Sequence, residues 1–286
     1  MLKVVKEYPP RGPMQQFRLE KAAAFQCFRC GRSKKAKLRT VYGGDRTRTL
    51  CNGCYGRLLS IYDVKAGTGP DDEKADQLAQ VLLTLATEDQ ARQAAERLRL
   101  ASNPVDALTP LALRFLGTAE FVAQGLDERP GLDWSPAVIG FCKAVEVEVV
   151  ERLVEPLKRS VTGLDLREDV RDRDLGRVAR YCAGGTSKPP EIGVVRHFFL
   201  TAANSKRRAE SSQILLTLKT VSADWPGTAW LMASDGLLGQ LATLATGYRN
   251  KAAHTGDLSR VDFVQCRDLV VGETGLMWRL VTATSR

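Results

Sequence analysis

Four cysteines near the start of the chain constrain its fold more than any other feature. They form two Cys-x2-Cys pairs, Cys27 with Cys30 and Cys51 with Cys54. Four thiolates with this spacing can surround a Zn²⁺ ion tetrahedrally, and in an intracellular chain the pattern is far more typical of metal binding than of disulfides. The sequence therefore predicts one structural zinc ion per chain, because four cysteine ligands leave no open position for water.

The segment between the cysteine pairs is expected to contain a β-hairpin. Residues 37–50 can form two strands around Gly43-Gly44, a pair typical of a tight turn. In the simplest register around that turn Arg39 faces Arg48, a like-charge pair that would attract an anion. After the hairpin, we expect a short helix that begins at the second cysteine pair and runs on through Ile61.

A cysteine knuckle, a hairpin and a second knuckle that opens a helix describe a treble clef. The second knuckle, Cys51-Asn52-Gly53-Cys54, resembles that of the GATA-type zinc finger. Two features depart from that family: no tryptophan lies between the knuckles, and residues 63–67 are not strongly basic. The resemblance therefore implies a structural zinc module that binds nucleic-acid backbone or a protein partner, and not a module that reads a DNA sequence.

Positive charge is concentrated in the same part of the chain. Of the 42 Lys and Arg residues, 14 lie in residues 1–60 beside three acidic residues, so this segment has a net charge of +11 and the remainder has −2. Contact with a phosphate backbone needs such a concentration, because each neutralised phosphate releases counterions. The alternative is a basic surface that only keeps the protein in solution.

Near the C-terminus, one of the only two histidines lies in the segment Tyr248-Arg249-Asn250-Lys251-Ala252-Ala253-His254. The residues before it have helical apolar spacing: Leu237, Leu238, Leu241, Leu244 and Tyr248. Gly256 then offers a helix stop, and residues 259–262 have capping-box spacing. We therefore expect the segment at a junction between two helices, with Asn250 and His254 on one helical face.

Arg249, Asn250 and His254 form an Arg-Asn-x3-His pattern that resembles the HEPN superfamily of α-helical, mostly metal-independent endoribonucleases, whose mark is Arg-x4–6-His. The resemblance covers roughly the C-terminal half of the chain. It implies a four- or five-helix bundle that forms a homodimer and brings two copies of the motif to one RNA cleft. It also implies a role as a toxin or anti-phage defence effector, which an antitoxin or regulatory partner would restrain.

The three side chains suit RNA cleavage by the substrate's own 2′-hydroxyl. Histidine titrates near neutrality, so His254 fits a general base or acid. A guanidinium binds two phosphate oxygens at once, so Arg249 fits the stabiliser of charge on phosphorus. Asn250 would orient the histidine or hold a phosphate oxygen, and no metal is required.

Two other interpretations remain open at this stage. Arg249 and His254 also suit the solvated C-terminus of a helix, where cationic side chains interact favourably with the dipole. The chain as a whole also fits a non-catalytic nucleic-acid-binding regulator, in which the zinc module binds nucleic acid and the helical bundle only dimerises. Cleavage activity distinguishes the two classes.

The expected architecture is mainly α, in three parts. A treble-clef zinc module with four cysteine ligands occupies residues 1–66, a helical spacer 67–130 and a HEPN-like helical bundle 131–286. Residues 1–16 contain Pro9, Pro10 and Pro13 and lack the apolar region of a signal peptide. Since no long apolar run follows, we expect a cytoplasmic protein without membrane contact.

The longest helix is expected at about 136–158, kinked or ended by Pro156. Four glutamates on it are interpreted as a solvated face: Glu146, Glu148, Glu151 and Glu155. His197, the other histidine, has no partner nearby in sequence and is interpreted as a packing or surface residue.

Overall fold

The computed structural model describes residues 3–99, 104–127, 131–254 and 256–285. The chain is mainly helical, with a small antiparallel sheet at the N-terminus and the four cysteines of the predicted metal site beside it. The strands follow one another in the sheet in chain order: β1 (Val4–Glu7), β2 (Met14–Gln26), β3 (Ser33–Tyr42) and β4 (Asp45–Leu50).

The β3–β4 hairpin turns at Gly43 and Gly44, as predicted, with φ angles of 62° and 74° that favour glycine. The predicted Arg39–Arg48 pair is wrong. A bulge after Val41 shifts β4, so that Val41 lies opposite Thr49, and Arg39 lies opposite Phe17 of β2. The Arg39 guanidinium stacks on a neighbouring aromatic ring of the same sheet, 4.2 Å from its centroid.

Helices make up the rest of the described chain. The first four are α1 (Asn52–Ala66), α2 (Asp71–Leu83), α3 (Glu88–Arg99) and α4 (Pro110–Asp127). The next six are α5 (Ser135–Val149), α6 (Glu155–Ser160), α7 (Arg167–Arg171), α8 (Gly176–Cys182), α9 (Ile192–Asn204) and α10 (Lys206–Ser211). The last six are α11 (Gln213–Ser222), α12 (Thr228–Met232), α13 (Leu237–Ala242), α14 (Asn250–Ala253), α15 (Arg260–Val271) and α16 (Leu276–Thr284).

The long central helix contains a π turn. Residues Val150–Val154 connect α5 to α6 without a break, so the helix continues past Pro156 to Ser160. Proline removes one backbone hydrogen bond and crowds the preceding turn, and a π turn supplies the room. Of the two predicted effects of Pro156, a kink or an end, the end does not occur, and a wider turn precedes the proline instead.

One hydrophobic core runs through the helical part of the chain. Helix α5 lies at its centre, with Val138, Phe141 and Val145 fully buried, and α2, α4, α15 and α16 pack against it. The predicted spacer therefore contributes two of its helices to the packing of the bundle. Trp278, on α16, lies in the same core and donates its indole N–H to the Val271 carbonyl.

Within the described ranges, no helix combines the length and the apolar character that crossing a membrane requires.

Candidate functional site

The four cysteines of the predicted metal site come together. Their sulfur atoms all lie within 4.8 Å of one another, and Cys30 Sγ is 3.9 Å from Cys51 Sγ. A tetrahedron with Zn–S bonds of about 2.3 Å has edges of about 3.8 Å, so the cluster has the dimensions of a zinc site. These four residues could bind a zinc ion.

The backbone around the cluster is shaped for a ligand set of this kind. Gly31 follows the first pair with a φ of 67° and closes a turn on the Cys27 carbonyl. The Cys51 amide donates to Cys27 Sγ at 3.3 Å, and α1 begins directly after Cys51. Each knuckle therefore presents its sulfurs from a tight turn or a helix start, which is the arrangement that the Cys-x2-Cys spacing predicts.

Proton sharing within the cluster also suits a cation. The Cys54 thiol donates to Cys27 and lowers the pKa of Cys27 to about 4. The same hydrogen bond, together with burial, raises the pKa of Cys54. The contact between these two thiols therefore favours the thiolate form of Cys27, which is the form that binds a metal ion.

A buried lysine joins the cysteine module to the helical body. Lys65, on α1, is 3% exposed and its Nζ lies 2.7 Å from Asp133 Oδ2, 3.1 Å from Ser135 Oγ and 2.8 Å from the Gly256 carbonyl. Asp133 Oδ1 in turn accepts from the Leu258 amide at 3.0 Å. The two residues thus hold the segment that follows His254.

The guanidinium of Arg249 is buried between two carboxylates. Arg249 is 1% exposed, its Nη1 is paired with Asp72, and its Nε lies 3.0 Å from Glu146 Oε1 without hydrogen-bond alignment. Nη2 is buried and has no hydrogen-bond partner among the described residues. Burial alone would lower the pKa of Arg249, but Glu146 and Asp72 raise it, so the group stays charged.

Arg249 ends a second π turn, Thr243–Arg249, which joins α13 to α14. Such turns are rare and occur frequently at functional sites. The predicted helix junction is confirmed: α14 ends at Ala253, and the Ser259–Asp262 capping box opens α15. His254 is already extended, with ψ of 167°, so it does not continue the helical face of Asn250.

His254 and Arg249 occupy different environments. The His254 side chain is 60% exposed, and its Nε2 lies 3.5 Å from Asp71 Oδ2. Asn250 is half-buried at the start of α14. The N-terminus of α2 therefore supplies a carboxylate to each end of the motif, Asp71 to His254 and Asp72 to Arg249.

Glu146 is one of the site residues that the sequence analysis missed. Glu146 and Glu148 are 5% and 0% exposed, so the interpretation of the glutamates as a solvated face is wrong for these two. Glu148 binds the Thr109 amide and Arg152, while Glu146 contacts Lys143 and Arg249. A signal was present, since Glu146 follows buried Cys142 by four residues and so lies on the apolar stripe.

His197 also has a partner that its sequence neighbourhood does not reveal. Its Nε2 lies 3.0 Å from Asp174 Oδ1, on the turn before α8. Arg208 binds the same carboxylate. His197 is therefore a surface histidine, as expected, but an ion-paired one.

Comparison with known proteins assigns no family: no protein-family model, no curated protein and no solved structure matches this chain.

Proposed function

We propose that this chain is a metal-independent endoribonuclease of the HEPN type. The observation that carries the proposal is the pair formed by His254 and Asp71: an accessible imidazole 3.5 Å from a carboxylate, at the end of the Arg-Asn-x3-His segment. A carboxylate beside histidine can orient the ring by accepting from a ring N–H. That arrangement suits proton transfer at a phosphodiester.

The proposed reaction is a transesterification, in which phosphorus is transferred from the 5′-oxygen to the 2′-oxygen. His254 takes the proton of the substrate 2′-hydroxyl, and the 2′-oxygen attacks phosphorus. The bond from phosphorus to the 5′-oxygen breaks, and the leaving oxygen takes a proton from an acid. The products are a 2′,3′-cyclic phosphate and a 5′-hydroxyl.

Arg249 would stabilise charge on phosphorus after exchanging one partner. Asp72 is 43% exposed, so a phosphate oxygen can compete with it for Nη1. Nη2 has no described hydrogen-bond partner and lies on the same guanidinium. A phosphate that displaced Asp72 would gain both N–H groups in a bidentate contact, while Glu146 keeps the Nε side in place.

The acid for the leaving oxygen would come from a second copy of the chain. A twofold axis beside the α14–α15 junction would bring two His254 side chains to one cleft. On α15, Val261 and Val264 are 64% and 45% exposed and offer an apolar contact there. Trp278 and Leu280, in the apolar C-terminal segment, are buried within the chain and are not available for this contact.

The N-terminal module would bind one structural zinc ion and contact the RNA backbone. Its sheet carries exposed Lys34, Lys35 and Lys37 on β3, and phosphate neutralisation by such residues adds affinity without sequence preference. By resemblance, the enzyme would act as a toxin or anti-phage effector that an antitoxin or regulatory partner restrains.

A second candidate function follows from the burial of Arg249. Two carboxylates contact the guanidinium, so Arg249 can stabilise the packing of the helices in a non-catalytic nucleic-acid-binding protein. The basic sheet would then carry the function alone.

Cleavage of RNA by the purified protein in magnesium-free buffer tests the first candidate against the second. We expect His254→Ala to lose about 10²-fold or more in rate, and a substrate with a 2′-deoxy residue at the cut site to resist cleavage. Lys219→Ala, an exposed change on α11, should retain full activity. Dependence on added magnesium, or equal activity of His254→Ala and the parent, would exclude this mechanism, and RNA binding without cleavage would favour the second candidate.

A further inference from the structure

A cavity of about 540 Å³ lies against the start of α2, the start of α9 and the turn that leads into α8. Its wall includes Asp72, the carboxylate that holds Arg249. It also includes His197, Arg173 and Arg177. One cavity therefore contains Asp72 together with two arginines and a histidine that have no role in the proposed reaction.

Every acidic residue in the cavity wall contacts a cation, and Arg249, Lys188 and Arg208 each also contact a second carboxylate outside the wall. Asp72 is paired with Arg249, and Glu191 Oε1 lies 3.0 Å from Lys188 Nζ. Asp174 binds Arg208 and His197, which lower the pKa of Asp174 to about 2, Arg208 having the larger effect. The wall carboxylates are therefore partly compensated, and an anion site in this cavity depends on its two arginines.

Arg173 and Arg177 are not neutralised in the same way. Both are exposed, and neither forms an ion pair with a carboxylate in residues 3–99, 104–127, 131–254 or 256–285. By contrast, Arg171, two residues before the first of them, is paired with Glu168 at 3.2 Å. The cavity therefore has two uncompensated guanidinium groups, which bind phosphate oxygens through paired N–H donors.

Two residues at the start of α9 line the same cavity. Gly193 and Val194 belong to the first turn of α9, whose amides have no carbonyl partner within the helix. Helix N-termini attract anions through these amides and the helix dipole. Gly193 leaves the wall open, since a Cβ at that position would meet nothing within 4 Å.

We propose that this cavity binds a phosphate group, through Arg173, Arg177 and the first turn of α9. The ligand class is a phosphomonoester or phosphodiester, from RNA or from a small phosphorylated metabolite. The inference rests on the cavity wall and goes beyond the proposed cleavage reaction. If RNA supplies the phosphate, the cavity is a substrate subsite next to Asp72 and Arg249.

The test titrates inorganic phosphate into the full chain at constant ionic strength and follows the unfolding temperature, which rises with ligand bound to the folded state. We expect a saturable rise for the parent and for Arg171→Ala, which removes an equivalent but ion-paired charge. Arg173→Ala with Arg177→Ala should weaken the apparent Kd about tenfold or more. Gly193→Glu should do the same, because it places a carboxylate in the open wall while both arginines remain.

Two outcomes would overturn the site: no saturable rise in unfolding temperature for the parent, or an equal rise in the parent, the double variant and Gly193→Glu.

A second experiment measures binding of a short single-stranded RNA in the His254→Ala background. If the arginine pair is needed for RNA binding, the phosphate belongs to RNA. If phosphate binding is lost but RNA affinity is unchanged, the ligand is a small phosphorylated molecule. Neither experiment requires cleavage, so failure of the proposed activity leaves the result interpretable.

Discussion

Nε of Arg249 lies 3.0 Å from Oε1 of Glu146, and this contact connects the Arg-Asn-x3-His segment to the central helix α5. Both residues are at most 5% exposed. A charge buried to this extent needs its counter-charge, because the interior cannot solvate it. The arginine of the motif therefore contributes to folding as well as to any chemistry.

Replacing Arg249 should lower stability measurably. We expect Arg249→Ala to reduce the free energy of unfolding by about 3 kcal/mol, since it leaves a buried carboxylate with one cation fewer. Urea denaturation measures the change. Arg260→Ala is the matched control, because Arg260 is 65% exposed and its pair with Asp127 should contribute about 0–1 kcal/mol. Equal stability of the two variants would mean that the buried contact does not stabilise the fold.

The cysteine cluster should hold one zinc ion per chain. Elemental analysis of protein purified under reducing conditions should give a zinc-to-chain ratio near one, and Cys51→Ser should reduce it, because one of four ligands is lost. Cys182→Ser, outside the cluster, should keep the metal. Protein without zinc, or Cys51→Ser with full zinc content, would remove the site.

Lys65→Met should weaken the attachment of the zinc module to the helical body. The change keeps the length of the side chain but removes the cation that binds Asp133, Ser135 and the Gly256 carbonyl. We expect a loss of about 3 kcal/mol in the free energy of unfolding. Lys3→Met, at a pair whose lysine is 72% exposed, should change stability by less than about 1 kcal/mol. A similar effect of both changes would contradict the structural role of Lys65.

Acid should remove the contribution of Asp76. Burial opposes ionisation of Asp76, but Lys143 at 2.7 Å and then Lys188 overcome it and lower the pKa of Asp76 below 3.8. The stabilisation is therefore present above pH 3.8 and is lost as the pH falls through the lowered pKa. Asp76→Asn should cost about 1–2 kcal/mol at pH 7 and progressively less below pH 3.8. A cost that does not change with pH would refute the ion-pair explanation.

The proposed dimer should depend on α15. Val261→Glu with Val264→Glu places charge on the exposed apolar face and should shift the protein toward monomer in sedimentation experiments, with a parallel loss of cleavage. Val5→Glu, at a position 53% exposed on β1, controls for added surface charge and should leave the dimer intact. A parent protein that is monomeric and fully active at nanomolar concentration would exclude the shared cleft.

Local chemistry was predictable from the sequence, and long-range pairing was not. The Cys-x2-Cys pairs, the Gly43-Gly44 turn and the Ser259–Asp262 capping box each depend on spacing within a few residues, and each was predicted correctly. Glu146 is different, because its partner Arg249 is distant in sequence. Apart from the position of Glu146 on an apolar stripe, the neighbouring sequence contains no signal that this glutamate is buried.

The same distinction applies to Lys65 and to Asp71 and Asp72. The sequence analysis assigned Lys65 to the zinc module and the two aspartates to the start of the helical spacer, and it predicted no partner for any of them. In the structure they bind residues of the segment around the motif. A charged side chain has the same sequence signature whether it faces solvent or a buried counter-charge. Its partner is therefore identified only from the folded structure.

The π turn that ends at Arg249 absorbs one extra residue in the helix that leads to the motif. A π turn accommodates one residue more than an α-helical turn, so removing one residue, for example Thr246, would allow regular winding from α13 into α14. Everything after the deletion would then keep its position about the helix axis, because the residue removed is the extra one that the π turn absorbs. The guanidinium would still face Glu146, whereas a second deletion, from regular helix, would rotate Arg249 by about 100° and turn it away.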